Sequence, residues 1–131
     1  MRKIILLIVL VLIIGCENNA DLSPEIDVID FGTEKGLYHS GEIMNIFAKI
    51  DSNIELENVS LRFYGIYASR NRLDQIKMVD LKKGENSIDL DYNAPRCYGC
   101  SGIKPGTYQI NLDVVYGNEK LTKSVDVEIK Q

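Results

Sequence analysis

Two cysteines in a Cys-x-x-Cys spacing are the residues of this sequence best suited to chemistry. Cys97 and Cys100 lie in the segment APRCYGCSGIKPGTY. Such a pair can form a dithiol redox site, with Cys97 as nucleophile and Cys100 as resolver. It can also supply two ligands of a zinc site, or close a structural disulfide. The choice depends on the neighbouring residues and on the third cysteine, Cys16.

The residues that follow the pair disfavour a redox site. In thioredoxin-like enzymes the nucleophilic thiolate is stabilised by the N-terminus of a helix. Here Gly102, Pro105 and Gly106 follow closely, and this composition does not predict a helix. The thiol–disulfide oxidoreductase therefore remains the alternative interpretation of this pair, and not the favoured one.

A metal site is also disfavoured. A closed zinc site needs four ligands, and the only histidine, His39, belongs to a separate segment. We therefore predict no metal and no cofactor. A disulfide between Cys97 and Cys100 is favoured, since closing this small ring would stabilise the fold by about 2 kcal/mol.

The N-terminus accounts for the third cysteine. Arg2 and Lys3 precede an apolar run, Ile4 to Ile14, about half as long as the roughly 20 residues needed to cross a bilayer. This pattern is typical of a secretory signal peptide. The segment LIIGC, which ends at Cys16, resembles the lipobox of prokaryotic lipoproteins. The resemblance implies cleavage before Cys16 and a diacylglyceryl group on its thiol, whose two acyl chains suffice for stable anchoring.

This resemblance implies a simple organisation. Residues 1–15 form a cleaved signal helix, residues 16–24 a lipidated cysteine with a flexible tether, and residues 25–131 one domain. The protein is expected on the outer face of a cell membrane, and Glu17 favours the outer membrane if the cell has two. In that compartment disulfides persist, and acylation of Cys16 leaves an even pair of cysteines.

The charge of the chain excludes several partners. It has 15 basic and 19 acidic side chains and a net charge of −4, and removal of Arg2 and Lys3 makes it more acidic. This argues against nucleic acid as a partner and against electrostatic adhesion to anionic lipid. There is no Ser-His-Asp pattern, His-Glu-x-x-His motif or phosphate-binding glycine loop, so we do not expect an enzyme.

The domain is expected to be all-β, because apolar residues alternate with polar ones along most of it. The segment QIKMVDL is predicted to bury Ile76 and Met78, or Val79 and Leu81 if a bulge intervenes. ASRNRLDQIKM is the only segment that suggests a helical turn. The pattern predicts a seven-stranded antiparallel sandwich. The predicted strands are EIDVIDF, IMNIFAKI, NVSLRFYGIY, QIKMVDL, NSIDLDY, TYQINLDVVY and KLTKSVDVEI.

A family resemblance supports this fold. SGEIMNIFAKIDSN, KGENSIDLDYNAP and PGTYQINLDVVYGNEKLTKSVDVEI together resemble an immunoglobulin-like or fibronectin type III-like domain of prokaryotic surface proteins. The resemblance implies that Tyr108, after Pro105 and Gly106, forms a tyrosine corner. The chain has no tryptophan, and its two domain cysteines are too close for an inter-sheet disulfide. The resemblance therefore implies a generic sandwich and not an antibody-like one.

The candidate binding residues lie in one stretch of the chain. Tyr64, Tyr67, Arg70 and Arg72 combine residue types that are favoured in protein interfaces, and they predict a binding loop. Asn58 begins an N-glycosylation triplet, NVS, of low specificity. We expect a non-catalytic module that binds another envelope or extracellular protein or has a structural role. A carbohydrate-binding module or a spacer remains an alternative beside the thiol oxidoreductase.

Overall fold

The computed structural model describes residues 22–97 and 102–131. These residues form eight β-strands: β1 (Ile26–Thr33), β2 (Leu37–His39), β3 (Ile43–Ser52), β4 (Leu56–Ala68), β5 (Arg70–Leu81), β6 (Gly84–Asn93), β7 (Gly106–Tyr116) and β8 (Glu119–Lys130). The predicted signal helix (residues 1–15) and the lipidated cysteine lie outside the described residues. Within the described ranges, no helix has the length and apolar character needed to span a membrane.

The strands form two sheets that pack as a β-sandwich. One sheet has three strands in the order β1-β3-β6, and the other has five in the order β2-β8-β7-β4-β5. The all-β sandwich prediction is confirmed, but the prediction of seven antiparallel strands is wrong. The additional strand, β2, has only three residues and pairs in parallel with β8. So short a strand shows no alternation in the sequence, although Tyr38 within it is buried.

The predicted alternation builds the core. The inward residues of β3 (Met44, Ile46, Ala48, Ile50), of β4 (Val59, Leu61, Phe63) and of β7 (Ile110, Leu112, Val114) are all buried. Each large apolar side chain that is fully buried in this way contributes about 1.5–3 kcal/mol to stability. At the start of β7, the Tyr108 hydroxyl donates a hydrogen bond to the carbonyl oxygen of Lys104. This is the tyrosine corner that the family resemblance implied.

Strand β5 departs from the prediction in two ways. First, the segment expected to form a helical turn is extended, because β5 already begins at Arg70. Second, Ile76 and Met78 point outward and are 66% and 57% exposed. They stand opposite Arg62 and Ser60, which alternate with the buried residues of β4. The prediction that Ile76 and Met78 belong to the core is wrong, whereas the alternative pair, Val79 and Leu81, does pack inward.

The register of β5 has a physical reason. A strand can bury only one of its two sets of alternate residues. The buried face of β5 carries Leu73, Val79 and Leu81, together with Gln75 and Lys77 at the rim of the sandwich. The opposite choice would bury Ile76 and Met78 only by burying Asp74 and Asp80 as well. Burying two carboxylates costs far more than exposing two apolar side chains, because the carboxylates lose their hydration. Lys77 is compatible with the observed register, since a lysine near the rim can extend its charged end into water.

The β4–β5 hairpin separates from its neighbour β7 near the hairpin tip. The last β4–β7 pair is Gly65 with Ile110. Gly65 has a φ of +140°, and a Cβ placed there would lie 2.2 Å from the carbonyl oxygen of Gln109. Only glycine allows this close approach of two backbones. Ile66 and Ser69 also have positive φ values, 50° and 65°, so the hairpin turns sharply after it separates from β7.

The two ends of the sandwich differ in what they carry. The register of the strands places Pro24, the β3–β4 turn and the β7–β8 turn at one end, which we call the proximal end. The opposite, distal end carries the β2–β3 turn, the tip of the β4–β5 hairpin and the β6–β7 connection that contains Cys97.

Candidate functional site

An ordered polar network covers the outer face of the five-stranded sheet. Arg62 on β4 donates two hydrogen bonds to Asp74 on β5, Nε to Oδ1 at 2.8 Å and Nη2 to Oδ2 at 2.9 Å. The same guanidinium lies 4.7 Å from the centre of the Tyr64 ring. The hydrogen bonds from Arg62 lower the pKa of Asp74, and those to Asp74 raise the pKa of Arg62. Because the pair is exposed, it fixes the orientation of Arg62 more than it adds stability.

The network continues to a buried carboxylate on β7. Asp113 is only 4% exposed. Its Oδ1 accepts hydrogen bonds from Thr122 at 2.8 Å and from the Tyr64 hydroxyl at 3.3 Å, and its Oδ2 lies 3.2 Å from Lys120 Nζ. A buried carboxylate needs such partners to offset its lost hydration. Tyr64 is thus held from both sides, by Arg62 on its ring and by Asp113 at its hydroxyl.

Ile76 and Met78 lie beside this network on the same face. Ile76 is the direct cross-strand neighbour of Arg62, and Met78 is that of Ser60. We call the group Ile76, Met78, Arg62, Tyr64 and Asp74 the outer-face patch. It combines exposed apolar side chains with a tyrosine and an arginine that are already fixed in orientation. Methionine, tyrosine and arginine are enriched in the centres of protein interfaces.

The four predicted binding-loop residues occupy strands and not a loop. Tyr64 belongs to the outer-face patch, whereas Tyr67, 67% exposed, and Arg70 lie at the hairpin tip. Arg72 turns back on the hairpin, where its Nε donates to the carbonyl oxygen of Ala68 at 3.3 Å. The backbone carbonyl of Arg72 accepts a hydrogen bond from the Tyr92 hydroxyl at 2.9 Å.

Sequence reasoning missed Ile76 and Met78 as surface residues. Their alternation with Gln75 and Lys77 is the pattern of a half-buried strand. The aspartates at 74 and 80 share their face, and this was the available indication that the face is outward. Comparing the charged as well as the apolar residues on the two faces of β5 would have predicted that Ile76 and Met78 point outward.

The connection that contains Cys97 is hydrogen-bonded to the β2–β3 turn. The Cys97 amide donates to Ser40 Oγ at 2.9 Å, and the Ala94 amide donates to the Glu42 carbonyl oxygen at 2.8 Å. Cys97 is half-buried against the core. Cys100 lies outside the described residues, so the disulfide remains a prediction. Residues 102–131, which follow the cysteine pair, contain no helix whose N-terminus could stabilise a Cys97 thiolate.

The side chain of Glu42 organises the same turn. It forms an ion pair with Lys35 and accepts a hydrogen bond from the His39 amide at 2.9 Å. The hydrogen bond from Lys35 lowers the pKa of Glu42. The imidazole of His39 is exposed and lies 3.7 Å from a Glu42 oxygen. Across residues 22–97 and 102–131, no group of three or more histidine, cysteine, aspartate or glutamate side chains is placed to hold a metal ion.

Comparisons with known proteins bear on the fold alone. No protein family model and no curated protein matches the chain. The C-terminal domain of Wzt superposes with a TM-score of 0.64 at 8% identity, covering 83% of this chain and 78% of that one. The CARDB domain of a Pyrococcus furiosus protein, in complex with di-metal ions, superposes with a TM-score of 0.57 at 16% identity, covering 81% and 88%. These likenesses support an immunoglobulin-like β-sandwich.

The same sandwich also occurs as part of larger proteins. An alkylpurine DNA glycosylase of Pseudomonas fluorescens matches with a TM-score of 0.58 at 16% identity, and a β-glucosidase of Listeria innocua with 0.54 at 17%. The match covers 82% of this chain and 31% of the glycosylase, and 83% of this chain and 16% of the glucosidase. The chain thus spans less than a third of either protein.

The disulfide prediction can be tested through its reduction potential. We expect a value below about −300 mV for Cys97 and Cys100, as in structural disulfides. The purified Cys16→Ser protein would be equilibrated in glutathione buffers of graded potential, and free thiols would be alkylated and counted by mass spectrometry. A potential between about −270 and −120 mV would instead support the thiol oxidoreductase.

Proposed function

We propose that this protein is a membrane-anchored lipoprotein of the cell envelope whose β-sandwich binds another envelope or extracellular protein without catalysis. The observation that carries the proposal is the outward orientation of Ile76 and Met78 next to the fixed Arg62. The partner is expected to bind through the outer-face patch. Its own contact surface should be apolar at the centre and polar at the rim.

The outer-face patch has the features of an interaction surface. Two neighbouring apolar side chains on a strand gain nothing from exposure to water, and a partner that covers them gains free energy in proportion to the apolar area buried. Tyr64 and Arg62 are ordered before binding, so less conformational entropy is lost when a partner packs on them. Residues of these types provide most of the binding energy in many interfaces.

Binding is expected through side chains and not by addition of a strand to β5. Lys77 points to the inner side of β5 and donates a hydrogen bond to the backbone carbonyl of Asp89 on β6 at 3.2 Å. The Tyr92 hydroxyl forms a second link from β6 to β5. Inward charged residues on an edge strand are a common means of preventing pairing with another chain. The face of the sheet is therefore the better candidate for contact.

The anchor is proposed from the lipobox resemblance around Cys16. The chain enters the sandwich at Pro24, where Asn53 Nδ2 donates to the Ser23 carbonyl oxygen at 3.0 Å. The predicted tether, which with the lipidated cysteine spans residues 16–24, would hold the domain near the bilayer, and its attachment is at the proximal end. The outer-face patch lies on a side of the sandwich, where it would remain accessible beside the membrane.

Photo-crosslinking in intact cells tests the binding proposal. A photoreactive amino acid at position 76 should yield one dominant adduct with a second protein. The matched control is position 43, because Ile43 is 64% exposed but lies on the three-stranded sheet. The adduct should be lost when Met78 is changed to Asp. Equal crosslinking from both positions, or none from either, would contradict the proposal and favour a spacer.

The anchor is tested by the Cys16→Ser substitution. We expect the wild-type N-terminal peptide to begin at Cys16 and to carry a diacylglyceryl group, and the variant to keep residues 1–15 and to carry none, because the lipobox resemblance makes Cys16 both the acylated residue and the cleavage position. The measurement is detergent phase partitioning, with mass spectrometry of the N-terminal peptide. Cys97→Ser serves as the control and should stay with the membrane. A Cys16→Ser protein that is still processed and membrane-bound would show that the lipobox interpretation is wrong.

A further inference from the structure

The outer face of the five-stranded sheet contains a buried charge that the protein-binding proposal does not yet explain. Among the described residues, Asp113 is the only charged residue that is buried. Its cross-strand neighbours are Arg62 on β4 and Thr122 on β8, which both belong to the outer face. The Asp113 side chain is therefore on the solvent side of the sheet, and it is buried because other side chains cover it.

The side chains that cover Asp113 are the ones that bind it. The hydroxyl groups of Thr122 and Tyr64 donate to its Oδ1 at 2.8 and 3.3 Å, and Lys120 Nζ lies 3.2 Å from its Oδ2. Only 6% of the Asp113 side chain is exposed. A protein that packs on the outer face would contact these covering side chains first. Asp113 can therefore influence binding only through them.

Folding alone does not require a carboxylate at this position. A buried carboxylate loses hydration that its partners must offset, and replacing a buried ionic group by an apolar side chain is often neutral or stabilising. β7 already carries an apolar residue, Val115, two positions further on the same face. The carboxylate at position 113 thus has a cost without an evident return in stability, which directs attention to the side chains that it holds.

Tyr64 is the partner of Asp113 that belongs to the outer-face patch. Its hydroxyl is bonded to the carboxylate, and the Arg62 guanidinium lies 4.7 Å from the centre of its ring. A tyrosine on a sheet surface has several staggered rotamers available. A side chain that samples them all loses this freedom when a partner packs on it, and the affinity falls accordingly. An acceptor for the hydroxyl selects one of these rotamers in advance.

We infer that Asp113 is a positioning residue of the outer-face patch, which holds Tyr64 in its binding orientation through the tyrosine hydroxyl and does not itself touch the partner. The inference rests on the proposed function, because this orientation matters only if a protein binds to the patch. Tyrosine and arginine are the residue types that most often dominate binding energy. The buried carboxylate is the means by which the sheet presents Tyr64, with Arg62 on its ring, in a single arrangement.

Three variants separate positioning from folding. Asp113→Leu removes the acceptor but keeps a side chain of similar size, and it leaves no buried charge unpaired because Lys120 is 58% exposed. Asp113→Asn keeps an oxygen that can accept the hydrogen bond from Tyr64. Ser52→Ala is the matched control, since Ser52 is also buried but donates to the Ile54 carbonyl oxygen, at 2.6 Å, away from the outer-face patch.

The first measurement needs no partner. Three-bond NMR couplings of the isotope-labelled, purified protein report whether the χ1 angle of Tyr64 occupies one rotamer or averages over several. We expect one rotamer in the wild type, in Asp113→Asn and in Ser52→Ala, and averaging in Asp113→Leu. An unchanged single rotamer in Asp113→Leu would overturn the inference.

The second measurement is the yield of the crosslink from position 76 in intact cells. Asp113→Leu should lower the yield about fivefold or more, because Tyr64 must then be ordered at the expense of binding. Asp113→Asn and Ser52→Ala should stay within about twofold of the wild type. A wild-type yield in Asp113→Leu would contradict the role of Asp113 alone, whereas the absence of any wild-type adduct would contradict the proposed function.

Tyr64→Phe breaks the same link from the other side. The carboxylate then keeps Thr122 and Lys120 as partners, so this variant tests the inference even if Asp113→Leu does not fold. It should show the same averaging of χ1 and the same lower yield. Because both changes remove one interaction, Tyr64→Phe/Asp113→Leu should lose no more than the more affected single variant. Additive losses would show that Asp113 does not act through the Tyr64 hydroxyl.

Discussion

The register of β5 on β4 decides which surfaces of this protein are available for binding. By placing Leu73 and Val79 inside, the register directs Asp74, Ile76 and Met78 outward. The alternative register would bury two aspartates, and the desolvation of two carboxylates outweighs the exposure of two apolar side chains. The outward apolar pair is therefore a consequence of how the strand folds. The presence of isoleucine and methionine at these outward positions, and not of polar residues, is the basis of the proposed protein partner.

Two independent regions follow from this arrangement of strands. The outer-face patch lies on the five-stranded sheet, where Arg62 and Tyr64 are fixed by Asp74 and Asp113. A pocket at the proximal end lies between β1 and the β7–β8 hairpin. Neither region shares a side chain with the other.

Much of the fold could be predicted from the sequence because most strands here bury one face. Alternation in β3, β4 and β7 identified the core, and the family resemblance implied the tyrosine corner at Tyr108. β2 was missed because three residues are too few to show a period. Its place is set by parallel pairing with β8, a long-range contact that no local pattern encodes.

The candidate sites were less predictable, for two physical reasons. In β5 the apolar residues were assigned to the core, although the charges beside them decided the register. The pocket at the proximal end is lined by Pro24–Asp27, by Asp51 and Asn53 and by the β7–β8 hairpin, which are distant in sequence and meet only in the folded sandwich. Tyr64, one of the predicted binding residues, lies in the outer-face patch because the pairing of β4 with β5 places it on the same face as Asp74 and Ile76. Cys16 and Cys100 lie outside the described residues, so their roles stay predictions.

The free energy of unfolding of three variants tests the orientation of β5 most directly. Ile76→Thr and Met78→Thr keep strong or moderate β-propensity and should change stability by no more than about 0.5 kcal/mol each, as for exposed positions. Leu73→Thr, on the buried face of the same strand, should cost about 2 kcal/mol or more. Urea denaturation of the purified protein measures all three. A loss of about 2 kcal/mol at Ile76 or Met78, with little change at Leu73, would mean that β5 buries the opposite face and that the outer-face patch does not exist.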